Sequence, residues 1–142
     1  MQPITPFLWF DNNAEEAANF YTSVFKDSKI LSTMPGPGGS VMGVSFELNG
    51  QKFNSLNGGP MYKFTEAISF MISCASQEEI DYYWNALIAD GGQESKCGWL
   101  KDKFGLSWQV VPSNLGELLQ RPGAVQCMLG MNKLVIDELK NA

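Results

Sequence analysis

Apolar positions along this chain follow two periods in turn, and the succession occurs twice. Residues 4–10 (I-T-P-F-L-W-F) are apolar on both faces of an extended segment, which predicts a central strand covered on both sides. Pro6 cannot donate to a ladder and marks a strand start or a bulge. A helical period then takes over, with Ala17, Phe20, Tyr21, Val24 and Phe25 on one stripe that should lie on a sheet. Asn13 with Glu16 predicts a capping box at its start, and Lys26-Asp27 ends it. Strands follow over 29–34 and 41–48, the second with Met42, Val44, Phe46 and Leu48 on one side. Between them P-G-P-G-G-S (35–40) is a loop in which Gly38-Gly39 is suited to a hairpin turn. Asn49-Gly50 favours a type I′ turn into a strand over 52–56.

The pattern returns at an offset of 63 residues, which lays 13–25 over 76–88 and 4–10 over 67–73 without a gap. Residues 67–74 predict a strand, Ser76 with Glu79 a second capping box, and Ile80, Tyr83, Trp84, Leu87 and Ile88 the buried stripe. Gly91-Gly92 terminates this helix. Strands are expected over 94–99 and 107–111, with a weaker crossing near 101–104. Gly105 is the counterpart of Gly50, so Phe53-Asn54 lies over Trp108-Gln109. Two β-α-β-β-β modules therefore make an α+β protein, read as a single domain over 1–142: module one 3–60, module two 66–112 and a helical tail 113–142. In the tail, 114–117 caps a helical turn, while 124–130 and 136–139 are helical. Val125, Met128 and Leu129 there cover an apolar surface of this chain or of a partner.

A composition 44% hydrophobic, with four Trp and nine Phe, supplies a core for such modules. A net charge of −5, with Arg121 the single arginine, argues against binding nucleic acid or an anionic membrane. No apolar run approaches membrane-spanning length, and no Lys/Arg-led apolar segment opens the chain. Cys74, Cys97 and Cys127 are odd in number and lack a C-x-x-C spacing, so they read as reduced residues of a cytoplasmic protein.

The absence of histidine excludes an imidazole base, a Ser-His-Asp arrangement and an H-E-x-x-H site. The cysteines lack zinc-ligand spacing, and neither nucleotide-binding glycine fingerprint occurs. Glu15-Glu16 and Glu78-Glu79 are explained by helix N-termini. Asp102, beside the turn ahead of Gly105, and Cys97 are the candidates for acid/base or thiol chemistry, with turn capping the alternative for Asp102. Trp84 belongs to a core stripe, and Trp9 and Trp108 are expected beneath helices. Trp99, after Gly98, packs at a strand end or lines an organic ligand.

Three segments resemble one family: I-T-P-F-L-W-F-D-x-N-A-E-E-A-A-N-F-Y-x-S-V-F, L-N-G-G-P, and C-G-W-L-K-D-K-F-G-L-S-W-Q-V-V-P. They are similar to the PhnB-like branch of the glyoxalase/bleomycin-resistance (vicinal oxygen chelate) superfamily, whose members often carry the label 3-demethylubiquinone-9 3-methyltransferase domain. The resemblance implies paired β-α-β-β-β modules, each forming half of an open barrel, and a homodimer. It places the superfamily's metal-ligand positions at Pro6, Asn54, Ser69 and Gln109. None of these carries charge, and a hard cation wants ionised oxygens or imidazole, so no metal and no other cofactor is expected. The methyltransferase label is taken as a family name, because the first strand leads into D-N-N-A-E-E and not into a glycine-rich loop.

Strand parity from these positions predicts a concave face showing Pro6, Leu8, Phe10, Asn54, Leu56, Ser69, Met71, Gln109 and Val111. Leu8, Asn54, Leu56, Ser69, Met71, Trp99 and Gln109 are the candidate ligand-binding residues. Three readings follow: a module that binds or sequesters a small, mostly apolar compound, a metal-independent enzyme using Asp102 or Cys97, or a structural homodimer whose cup is filled by its own side chains.

Overall fold

The computed structural model describes residues 3–142, in two compact units that divide between Lys63 and Phe64. The first holds β1 (Phe7–Phe10), α1 (Ala14–Val24), β2 (Lys29–Pro35), β3 (Val41–Leu48) and β4 (Gln51–Asn57). Its sheet runs β1-β4-β3-β2, with β1 parallel to β4 and the other pairs antiparallel. Asn49 and Gly50 both take positive φ (50° and 87°), as the type I′ turn between β3 and β4 requires. The apolar stripe of α1 lies on β3: Tyr21 stacks on Phe46 at 6.1 Å, and Phe46 on Phe53 at 5.3 Å. Each buried ring of this kind contributes about 1.5–3 kcal/mol.

The first helix is not capped as the sequence suggests. Asn13 makes no side-chain cap hydrogen bond, and the Ala14 N–H donates to Asn57 Oδ1 at 2.8 Å. Asn57 Nδ2 donates in turn to the Val41 carbonyl, so one amide ties the helix start to two strands. An acceptor from across the sheet takes the place of the local one.

The second unit holds β5 (Ser69–Cys74), α2 (Gln77–Ile88), β6 (Gln93–Glu94), β7 (Trp99–Lys101) and β8 (Ser107–Pro112), ordered β5-β8-β7-β6. Here the cap forms: Ser76 Oγ accepts from the Glu79 N–H, and Glu79 Oε1 accepts from the Ala75 N–H. The strand expected over 94–99 is broken. Ser95 N–H donates to the Trp99 carbonyl and Trp99 N–H to that of Lys96, which closes a turn with Cys97 and Gly98 at positive φ. Gly98 also admits a close approach, since a Cβ there would meet Leu134 at 3.1 Å.

The tail belongs to this second unit, as α3 (Leu115–Leu118), α4 (Ala124–Leu129) and α5 (Ile136–Lys140). Cys97 and Gly98 N–H groups donate to the Met131 and Asn132 carbonyls. Gln77 bonds the Leu134 carbonyl and the Ile136 N–H, while Leu134 and Leu139 are fully buried. Ordinary packing within the chain thus accounts for this part of the tail, although Val125 and Leu129 of α4 stay exposed.

Register corrects one step of the sequence reading. Asn54 pairs with Phe7 and Gln109 with Met71, so matching Asn54 to Gln109 sets β1 against β5 at an offset of 64 (71 − 7), not 63. Module one carries Asp11, Asn12 and Asn13 between strand and helix, where module two has only Ala75 and Ser76. A one-residue slip moves every side chain of a strand to the opposite face.

Candidate functional site

Each sheet has one face under its helix and one open face. On the first sheet, registered partners share a face, which puts Phe7, Asn54, Ser45 and Ser32 in one row across the open side. Trp9, Leu56, Gly43 and Met34 form the next row. A cleft of about 450 Å³ runs along it, lined by Phe7, Ser32, Met34, Ser45, Lys52 and Asn54 among others. Ser45 Oγ donates to Asn54 Oδ1 at 2.7 Å, which leaves the Asn54 amide nitrogen without a partner among the described residues.

Leu8 is not part of this face. It pairs with Ser55 and lies at 5% exposure on the side of Phe53, beneath the helix, with Phe10 beside it and Pro6 on the same parity. Phe7, 59% exposed, takes the place expected of Leu8. Trp9 is likewise on the open side. Its Nε1–H donates to the Gly59 carbonyl, Tyr62 meets its ring edge-on at 4.9 Å, and the 58–62 segment lies over it. Leu56 and Asn54 fall on the open face as the sequence reading has them.

On the second sheet, Ser69, Met71, Trp99 and Gln109 come together. Met71, Gln109 and Trp99 form one row, and Ser69, Ser107, Lys101 and Gln93 the next. Gln109 Nε2 donates to Ser69 Oγ at 3.0 Å, leaving Gln109 Oε1 without a partner among the described residues. A cleft of about 250 Å³ is lined by Trp99, Lys101, Ser107, Glu66 and Glu94. Glu94 is committed to structure: it accepts from Trp84 Nε1 and Asn132 Nδ2, and these bonds hold its carboxyl below the ordinary value. Another cleft, about 590 Å³, is lined by Asn12, Glu15, Ser40 and Met42 beside the start of α1 and shares no lining residue with the other two.

The two candidates for chemistry both serve turns. Asp102 is 3% exposed; its Oδ1 accepts from the Phe104 and Leu106 N–H groups and its Oδ2 from Trp108 Nε1 at 2.9 Å. Trp108 itself is buried on the helix side, as expected. Cys97 sits at φ 62° in the turn that receives the tail. Cys74, on the helix side, is buried, and burial pushes its thiol up to about 12. No sequence signal singled out Phe7, Ser45, Lys101 or Ser107; the longer strand–helix turn of module one was the one clue to Phe7.

A divalent ion does not suit either open face. The positions implied for its ligands hold Pro6, which has no donor atom in its side chain, and the neutral side chains of Asn54, Ser69 and Gln109, which already bond to neighbouring side chains. Among the described residues no three His, Cys, Asp or Glu side chains gather where they could hold one, and no helix is long and apolar enough to cross a membrane.

Comparison with known proteins supplies the family. The 3-demethylubiquinone-9 3-methyltransferase family matches residues 2–111. A putative 3-demethylubiquinone-9 3-methyltransferase, PhnB protein, from Bacillus cereus is 37% identical; the match covers 78% of this chain and 99% of that one, with a TM-score of 0.71. Protein PA1353 from Pseudomonas aeruginosa is 20% identical over 79% of this chain and 98% of its own, with a TM-score of 0.66. A glyoxalase/bleomycin resistance protein from Albidiferax ferrireducens T118 shares the fold at 15% identity, over 75% and 95% of the two chains, with a TM-score of 0.52. No curated protein matches the sequence significantly. Two βαβββ sheets with a helical tail share the fold of the glyoxalase/bleomycin resistance protein, and the matched segments and the Bacillus cereus relative agree: the chain belongs to the 3-demethylubiquinone-9 3-methyltransferase family, with a PhnB protein among its relatives.

Proposed function

We propose that the protein binds a small, mostly apolar organic compound on the open faces of its sheets, without a metal ion. One observation carries this reading. Each face sets one carboxamide, Asn54 or Gln109, beside exposed apolar side chains, and leaves half of that amide's bonding capacity unused. A few convergent polar groups on apolar walls are the composition of a small-molecule site. On the first sheet Asn54 orients a bound compound and Phe7 and Leu56 contact its apolar body; on the second, Ser69 and Gln109 orient it and Met71 and Trp99 contact it. Asp102, engaged on both oxygens, has no part in binding.

The test is a thermal-shift screen against small aromatic and aliphatic metabolites, followed by calorimetric titration of any hit. Binding is expected to weaken about tenfold in Gln109→Ala, as for loss of one hydrogen bond to a half-buried amide. A hit whose affinity is unchanged in both Gln109→Ala and Asn54→Ala sinks the assignment.

A homodimer is proposed alongside, on separate grounds. Ile4, Phe7, Met61, Tyr62, Ile68 and Met71 are all more than half exposed, an excess of large apolar side chains that association would cover. Sedimentation velocity should give a mass near twice 15.7 kDa; a monomer at micromolar concentration contradicts it. Three unpaired cysteines fit a reducing, cytoplasmic setting.

A further inference from the structure

One row of the second sheet's open face is built unlike the rest. Ser69, Ser107 and Lys101 stand side by side across β5, β8 and β7. Ser107 is 1% exposed, and its Oγ is the one fully buried side-chain oxygen or nitrogen among the described residues that lacks a hydrogen-bond partner. A hydroxyl withdrawn from water with nothing to bond is unfavourable, and alanine would fill the same space without that penalty. Ser107 lines the 250 Å³ cleft together with Lys101 and Trp99, with its hydroxyl just beneath the cleft wall.

Lys101 is the cation of that cleft, and it is already occupied. Its ammonium forms a salt bridge with Glu66, from the turn ahead of β5, and the bridge holds the Glu66 carboxyl below its ordinary value. Glu66 is largely exposed, so it forfeits little by returning to water. The face thus presents a lysine, an unsatisfied hydroxyl and an indole in adjacent rows, with the chain's own carboxylate seated on the lysine.

We infer that this row is an anchor for the carboxylate of a small aromatic carboxylic acid, which displaces Glu66 from Lys101, accepts the Ser107 hydroxyl proton in a hydrogen bond, and lays its ring against Trp99. The inference rests on the open-face reading above and names the ligand class. A single negative charge matches the single lysine. A phosphate dianion would leave charge uncompensated beside Glu94, which lines the same cleft. Glu66 acts as a stand-in that keeps the lysine paired while the site is empty, and its departure frees Lys101 from the turn.

The experiment is calorimetric titration of sodium benzoate and of benzamide, its uncharged isostere, into the full chain and three variants, each first checked by circular dichroism. Benzoate should bind about tenfold more tightly than benzamide, the equivalent of 1.4 kcal/mol. Glu66→Gln removes the competitor and should tighten benzoate about threefold while leaving benzamide unchanged. Lys101→Met should erase the preference for benzoate, and Ser107→Ala should weaken benzoate several-fold without lowering the melting temperature. Equal benzoate affinity in the unaltered chain and Lys101→Met overturns the anchor. If both compounds then still bind in a Gln109-dependent manner, the open-face site survives without it. If neither compound binds the unaltered chain or Glu66→Gln, both readings fall.

Discussion

Replacing Asp102 by alanine tests whether this carboxylate builds the fold or works at a site. Its Oδ2 holds Trp108 Nε1 at 2.9 Å and its Oδ1 holds the Leu106 and Phe104 N–H groups at 3.1 and 2.9 Å. Trp108 and Leu106 are each 3% exposed, so Asp102→Ala strands two donors where water does not reach. Each stranded donor costs about 1–3 kcal/mol, with the upper half appropriate because the lost acceptor is charged. The Phe104 N–H is nearer solvent and adds little. The sum is about 4–6 kcal/mol. At about 4–8 °C per kcal/mol for a unit of this size, the melting temperature of the second unit falls by roughly 15 °C or more. Asp102→Asn keeps an oxygen for the two backbone donors but turns an amide N–H₂ toward Trp108 Nε1, and should lose about half as much. Differential scanning calorimetry reads the loss, and Trp fluorescence reports the freed indole. A variant that melts within about 2 °C of the parent would refute the structural assignment, and loss of an activity at unchanged stability would return Asp102 to the site.

Further predictions follow from single contacts. A Cβ at Gly58 would fall 2.4 Å from the Trp9 ring, which is pinned by the Gly59 carbonyl and by Tyr62. Gly58→Ala should therefore destabilise the first unit by about 1–3 kcal/mol, read by urea unfolding, and an unchanged midpoint contradicts that packing. Cys74 should escape alkylation at pH 8 in the folded protein while Cys97 and Cys127 label, since its thiol stays protonated up to about 12. The same shift has a signed consequence: between the ordinary thiol range near 9 and about 12 the unfolded chain loses this proton and the folded one keeps it, so stability falls as pH rises. Cys74→Ala should flatten that stretch of the stability curve; an identical slope rules out the assignment.

Much of the fold was legible because local and global preferences agree in it. The two helix stripes, the Ser76 cap and the Asn49-Gly50 turn each declare themselves within a few residues. The site was less legible, for reasons that lie in particular residues. Residues 4–10 are apolar on both faces, so composition offers no means of telling one side from the other. One extra residue among Asp11, Asn12 and Asn13 then sufficed to send Leu8 under the helix and Phe7 to the open face. The cap on α1 comes from Asn57, 43 residues away, where no helix-start rule looks for it. The break within 94–99 depends on Cys97 adopting φ 62°, a conformation its side chain does not favour and the docked tail supports. Ser107 is an unremarkable strand serine in the sequence; its missing partner exists only in three dimensions.

The side-chain amide resonances of Asn54 and Gln109 report most directly on whether the open faces hold a ligand. In ¹⁵N-labelled protein titrated with sodium benzoate, the account predicts that the Gln109 and Trp99 side-chain signals move together and saturably, with Ser69 and Ser107 backbone signals following. Shifts confined to Asn12, Glu15 and Ser40 would put binding in the cleft beside α1 instead, and contradict it.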